Sequence, residues 1–233
     1  MTLSRSGFVA PSSVTRSAHP AASQAGAERA GYRRGFWLIA AAFTVAMAFA
    51  TVPAPLYPLY QRRDGFSALT ITIVFVMYAV GVVASLLLTG HLSDRIGRKR
   101  ILIPALGLEV LAAGLFLAWP ALPGLLAARL FTGLAVGMIT ATATAHLHDL
   151  HAASRPGAGQ GRFEMVSTAA TFGGLGAGTL VAGFLAQFVA LPLRTPYLVF
   201  LVLILLSVVA VGLSPETVRE LPGRFRYRPQ RIR

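Results

Sequence analysis

Two charged side chains sit where charge is costly. Glu109 lies inside the apolar run 101–119, and Arg129 lies inside the run 122–146. A charge surrounded by hydrocarbon faces a partner or a cavity, and its default reading is functional. At 1.5 Å per helical residue, Glu109 is about 12 Å from one end of its run, and Arg129 about 10 Å from the opposite end of the next. Across a core of about 30 Å, their depths differ by about 8 Å, a gap the two side chains together bridge. One reading is therefore a structural Glu109–Arg129 ion pair. The sharper reading is that Arg129 holds an anionic group, or senses a proton change on Glu109.

Other reactive residue types are scarce. His146, His148, Asp149 and His151 cluster at the end of the fourth apolar run without the spacing of a zinc site, so they read as solvated residues and no metal is expected. Asp149 remains a candidate partner for the basic residues Arg95 and Arg98. The sequence holds no cysteine, which excludes disulfides, iron–sulfur clusters and thiol catalysis. It also lacks H-E-x-x-H, G-x-S-x-G and a phosphate-cradling glycine loop followed by Lys-Ser/Thr. Neither an enzyme nor a cofactor is expected.

The elements that hold Glu109 and Arg129 follow from composition. The 233 residues are 55% hydrophobic and 12% charged, with a mean hydropathy of +0.65. A soluble domain carries about 25% charged residues, and a chain this short cannot hide so many apolar runs from water. Six runs, 36–60, 69–90, 101–119, 122–146, 164–190 and 196–214, are near or above the roughly 20 residues that cross a bilayer as a helix. Backbone groups inside lipid must pair within their own segment, and the alternation of a membrane β-barrel is absent. The fold class is thus an all-α membrane protein, a six-transmembrane-helix bundle over 35–214. It is flanked by a disordered tail over 1–34 and a basic tail over 215–233. Pro53, Pro55 and Pro58 should break the first helix near its outer end.

The formal charge of +13 would suggest nucleic acid in a soluble protein. Here the basic residues sit between apolar runs, so they read as topology signals and contacts to anionic lipid, with no nucleic-acid partner expected. Placing the N-terminus in the cytoplasm puts seventeen of them inside against three outside. Both termini should be cytoplasmic, in a plasma membrane. A single lysine, Lys99, among abundant Arg, Ala and Gly suggests a GC-rich bacterial genome.

The most specific pattern lies between the second and third runs, Gly90-His91-Leu92-Ser93-Asp94-Arg95-Ile96-Gly97-Arg98-Lys99-Arg100. Gly90 allows close helix approach and Gly97 a tight turn. Asp94 is suited to accept hydrogen bonds from a helix N-terminus. An ordinary loop would explain the arginines but not the Gly/Asp/Gly spacing. The segment resembles the G-x-x-x-D-x-x-G-R-K-R loop signature of the major facilitator superfamily, and at the same place in the helix order. Arg129-Leu130-Phe131-Thr132-Gly133, continuing to Gly137, resembles the R-x-x-x-G pattern of that family's fourth helix. The resemblance implies a conformational gating role for Gly90, Asp94, Arg95, Gly97, Arg98, Lys99 and Arg100.

The fifth run carries Gly174, Gly178 and Gly183, which resemble the family's antiporter signature G-x-x-x-G-P-x-x-G-G. Thr179 stands at the proline and Ala182 at a glycine, so the expected proline kink is lost. With Gly133 and Gly137, these glycines also read simply as helix-packing positions. Family members have twelve helices in two halves, so the resemblance covers the N-terminal half only. It implies gradient-driven efflux of drugs or small metabolites, moving a small-molecule solute across the lipid bilayer and most simply driven by a proton gradient. A homodimer or a separate second half would complete it. The competing class is a truncated, non-transporting fragment, or an assembly or regulatory partner.

Overall fold

A computed structural model describes residues 19–89 and 97–217. Its helices are α1 (His19–Thr51), α2 (Tyr57–Asp64), α3 (Ala68–Thr89), α4 (Arg98–Ala118), α5 (Leu122–Ser154), α6 (Gly161–Thr168), α7 (Gly174–Phe188) and α8 (Thr195–Leu213). A 3-10 turn, Ala54–Leu56, joins α1 to α2, and a π turn, Ala169–Gly173, joins α6 to α7. Taken with those junctions, they form six segments long and apolar enough to cross a membrane.

The bundle is built around α1 and α5. Helices α1, α3 and α4 all pack on α5, while α7 and α8 pack on α1, and α8 also on α4. An aromatic seam locks the interior: Phe49 lies 6.5 Å from Phe116, whose ring stacks on Tyr197 at 4.5 Å. Outward faces are apolar. Leu87 is 80% and Leu180 75% exposed, an arrangement whose natural solvent is lipid.

Two boundaries differ from the sequence expectation. Helix α1 begins at His19, inside the stretch read as a disordered tail. From His19 on, that stretch is rich in Ala and Arg, which are strong helix formers, and adding turns to an existing helix avoids the cost of nucleation. Helix α5 continues to Ser154, so its 33 residues run about 50 Å, well beyond the hydrocarbon core. The His146–His151 segment is therefore helix, with His146 and His151 buried.

The prolines act as expected. Helix α1 ends at Thr51, the chain turns through Pro53–Leu56, and α2 carries it on to Gly65, whose φ of 72° closes that helix. In the fifth segment, which lacks the proline, the π turn interrupts the helix instead.

Candidate functional site

Helix ends leave carbonyls without intrahelical donors. At the end of α1, the Thr51 hydroxyl donates to Ala48 O at 3.0 Å, and Val52 N–H donates to Phe49 O at 3.2 Å. Arg129 serves the next carbonyl: its Nη1 donates to Ala50 O at 2.8 Å. Its Nε donates to the Tyr57 hydroxyl at 2.6 Å. The guanidinium carbon also lies 5.4 Å, 5.5 Å and 5.4 Å from the ring centroids of Tyr57, Phe75 and Tyr78. These aromatic faces attract a cation, and the negative end of the α1 dipole does the same. Arg129 is 1% exposed. It is a helix-capping charge inside an aromatic cage.

Glu109 is fully buried on the face of α4 that also carries Ala105, Leu106, Ala112 and Ala113. Neither carboxylate oxygen has a hydrogen-bond partner in the protein. The expected ion pair with Arg129 is not formed, since the Arg129 contacts go to Tyr57 and Ala50. Matching depth does not bring two helix faces together. Arg129 turns toward the broken end of α1, and Glu109 is left without a hydrogen-bond partner.

At the other end of the bundle, the chain beyond α8 folds back as a clasp. Glu216 accepts from the backbone N–H groups of Arg98 at 3.3 Å and Lys99 at 3.1 Å, placing an anion on the N-terminus of α4. Lys99 Nζ returns the contact to the carbonyls of Gly212 at 2.7 Å and Ser214 at 2.8 Å, at the end of α8. Arg98 Nε bonds Asp149 of α5 at 3.2 Å. Thr217 reaches Asp149 at 3.4 Å and His146 at 3.1 Å. Two of these carboxylates and three helices thus meet at one place.

Glycines set the helix spacing. A Cβ on Gly81 or Gly133 would run into the facing backbone of α5 or α3, and one on Gly137 into Ser85 and the Val82 carbonyl. Gly174 and Gly178 lie equally close to α1, at Thr44, Met47 and Ala48, where the Thr51 hydroxyl proton is shared between Ala48 O and Leu175 O, the latter at 2.8 Å.

The family model described as Major Facilitator Superfamily matches residues 18–230 of this chain. The chain belongs to the major facilitator superfamily. No curated protein matches it at a significant level. Superfamily members are transporters, and this member is a multi-pass membrane protein whose six spans correspond to half of a major facilitator domain.

The residues of the superfamily loop signature fall in two groups. Gly90, Asp94 and Arg95 lie outside the described residues. Gly97 has a φ of 108°, a conformation that favours glycine, and opens α4. Arg98 and Lys99 are both in the clasp, and Arg98 meets Asp149 as the sequence suggested. Arg100 is exposed at the start of α4. Among the packing glycines, Gly133, Gly137, Gly174 and Gly178 sit at close contacts, whereas Gly183 meets only Pro55 at ordinary distance. Among the described residues, no group of His, Asp and Glu is arranged to hold a metal.

Three participants escaped sequence reasoning. Gly81 is the partner of Gly133, and it carried no motif. Glu216 fell within the stretch read as a basic tail, although Pro215-Glu216 directly after the last span is visible. Ala50 acts through its carbonyl, which no side-chain pattern reveals; only the prolines after it gave a hint.

Proposed function

We propose that this protein moves small organic solutes, of the drug or metabolite kind, across the plasma membrane at the expense of a proton gradient. The observation that carries this reading is the contrast between the two charges buried within the membrane-spanning core. Arg129 is held by a hydroxyl, a carbonyl and three rings, and so is a fixed part of the frame. Glu109 is fully buried without any partner, so it can gain or lose a proton without breaking a contact. A carboxyl of that kind in a membrane span suits a proton relay. The clasp around Lys99 and Glu216 supplies a reversible polar lock at one end of the bundle, of the sort that closes one face of a transporter.

The transport unit contains two six-helix bundles. The second comes from a second copy of this chain, from further sequence, or from a separate chain. Binding between two bundles is the general arrangement of such carriers. Both ends of the bundle region face the cytoplasm. The seventeen-to-three arginine and lysine bias supports this, and Gly35 of α1 packs beside Pro215 after α8, so the two ends share a side.

Reconstitution tests the reading. Proteoliposomes holding the protein should accumulate at least one member of a panel of lipophilic cations, sugars and organic acids when a pH gradient is imposed, and lose that accumulation when an ionophore collapses it. Uptake equal to protein-free vesicles across the panel would remove the transport assignment.

A further inference from the structure

Helices α1 and α7 touch where Gly174 and Gly178 meet α1. One step earlier in the chain, between α1 and α6 with its π turn, lies a groove of about 450 Å³. One wall is Trp37, Ala41 and Thr44, at positions i, i+4 and i+7 of α1. The other is Met165, Val166 and Ala169, along α6 and into the π turn. The alanines make the hollow, and the edges are hydrophobic. Thr44 carries the one side-chain hydroxyl on these walls, and it is spent on Ala40 O at 2.9 Å. Apart from the Trp37 indole N–H at its mouth, the groove presents no side-chain donor to a polar guest. Hydrocarbon fits it.

Its mouth is different. Arg162 sits one turn before Met165 and Val166 on the same face of α6, and its guanidinium lies 5.8 Å from the Trp37 ring centroid, bridging the two walls. Arg33 sits one turn before Trp37 on α1 and is exposed. Both walls thus carry an arginine at the same end, next to a tryptophan of the kind that marks a membrane–water boundary. Glu164, the acidic residue of α6, is two positions from Arg162 and so on the other side of that helix. Among the described residues, no carboxylate pairs with Arg162.

An apolar trough that ends in two cations fits an amphiphile with one anionic head. We propose that this groove is a binding site for a single anionic phospholipid, its acyl chain between α1 and α6 and its phosphate held by Arg162 and Arg33. The site lies apart from Glu109, Arg129 and the clasp, and it rests on the second bundle of the proposed transport unit leaving this face of α1 and α6 to lipid. An ordinary boundary lipid would occupy the hollow without regard to head group, and the charge at the mouth is what separates the two cases.

Bromine-labelled acyl chains test this through Trp37 fluorescence. The full chain carrying Trp119→Phe keeps Trp37 as its single tryptophan, since the sequence has two. In bilayers mixing brominated phosphatidylglycerol or brominated phosphatidylcholine with unlabelled lipid, Trp37 quenching should show at least about fivefold preference for phosphatidylglycerol. Arg162→Gln should bring that preference close to unity, while Arg194→Gln at the opposite end leaves it intact. Ala41→Phe with Ala169→Phe should lower quenching by both lipids. If Trp119→Phe does not fold, native mass spectrometry of the wild type from equal mixtures of the two lipids gives the same answer through the head group retained. No preference in the wild type, or a preference that Arg162→Gln leaves unchanged, overturns the site. So does quenching that is unaffected by the two phenylalanines.

Discussion

Arg129 Nη1 donates to the Ala50 carbonyl at 2.8 Å, so a charge in the fourth span closes the broken end of the first. The contact explains why an arginine is tolerated at that depth. It finds a helix dipole, a hydroxyl and aromatic faces, and the break at Pro53 finds a donor. A frame of this kind is expected to hold both spans at a fixed distance.

Arg129→Leu should therefore destabilise the protein by about 1–3 kcal/mol or more, because the Ala50 carbonyl and the Tyr57 hydroxyl lose their donor. Arg129→Lys should recover only part of this, since one ammonium lacks the planar fork that reaches both acceptors. Thermal unfolding in detergent, with Tyr57→Phe as a third variant, measures the series. Equal stability of Arg129→Leu and wild type would contradict the capping role.

Helix spacing gives a second expectation. Gly133→Ala and Gly81→Ala place a Cβ against facing backbone, and overpacking of this type costs about 1–3 kcal/mol. Gly183→Ala should be neutral or slightly stabilising, because only Pro55 is near and alanine favours the helix. Unfolding temperatures of the three variants decide it. A Gly183→Ala loss as large as that of Gly133→Ala would argue against this spacing.

The clasp should behave as a coupled unit. Glu216→Gln weakens the charge at the N-terminus of α4, and Lys99→Met frees the Gly212 and Ser214 carbonyls. Each exposed helix-end contact is worth about 0.3–1 kcal/mol. The double variant should lose less than the sum of the singles. Strict additivity in a double-mutant cycle would show that the two ends act independently.

Much of this was legible in the sequence. The six spans follow from hydropathy, the break after Thr51 from three prolines, and the Arg98–Asp149 contact from the charges gathered on one side of the membrane. The partner of Arg129 was not legible. Depth along a helix can be counted from the sequence, but rotation about its axis depends on packing, and that rotation sends Arg129 to Ala50 and leaves Glu109 without a hydrogen-bond partner. Gly183 looked like its neighbours because spacing does not reveal whether a facing helix is close. Glu216 and Gly81 are single residues whose importance comes from what the fold brings to them.

The bending point of the fifth span was half legible. The sequence lacks a proline at 179, but Gly173, Gly174 and Gly176 place weak helix formers where the π turn Ala169–Gly173 interrupts the helix. Gly174 also closes on Thr44 and Met47 of α1, a contact that spacing alone does not reveal.

The central claim is that an unpartnered Glu109 couples solute to protons, and Glu109→Gln tests it most directly. Wild type and variant are reconstituted at equal density with a solute that the wild type accumulates. Uphill accumulation under an imposed pH gradient and downhill exchange without one are then measured side by side. The account expects Glu109→Gln to lose uphill accumulation down to the level of protein-free vesicles while keeping downhill exchange. Accumulation by Glu109→Gln equal to that of the wild type would contradict the assignment.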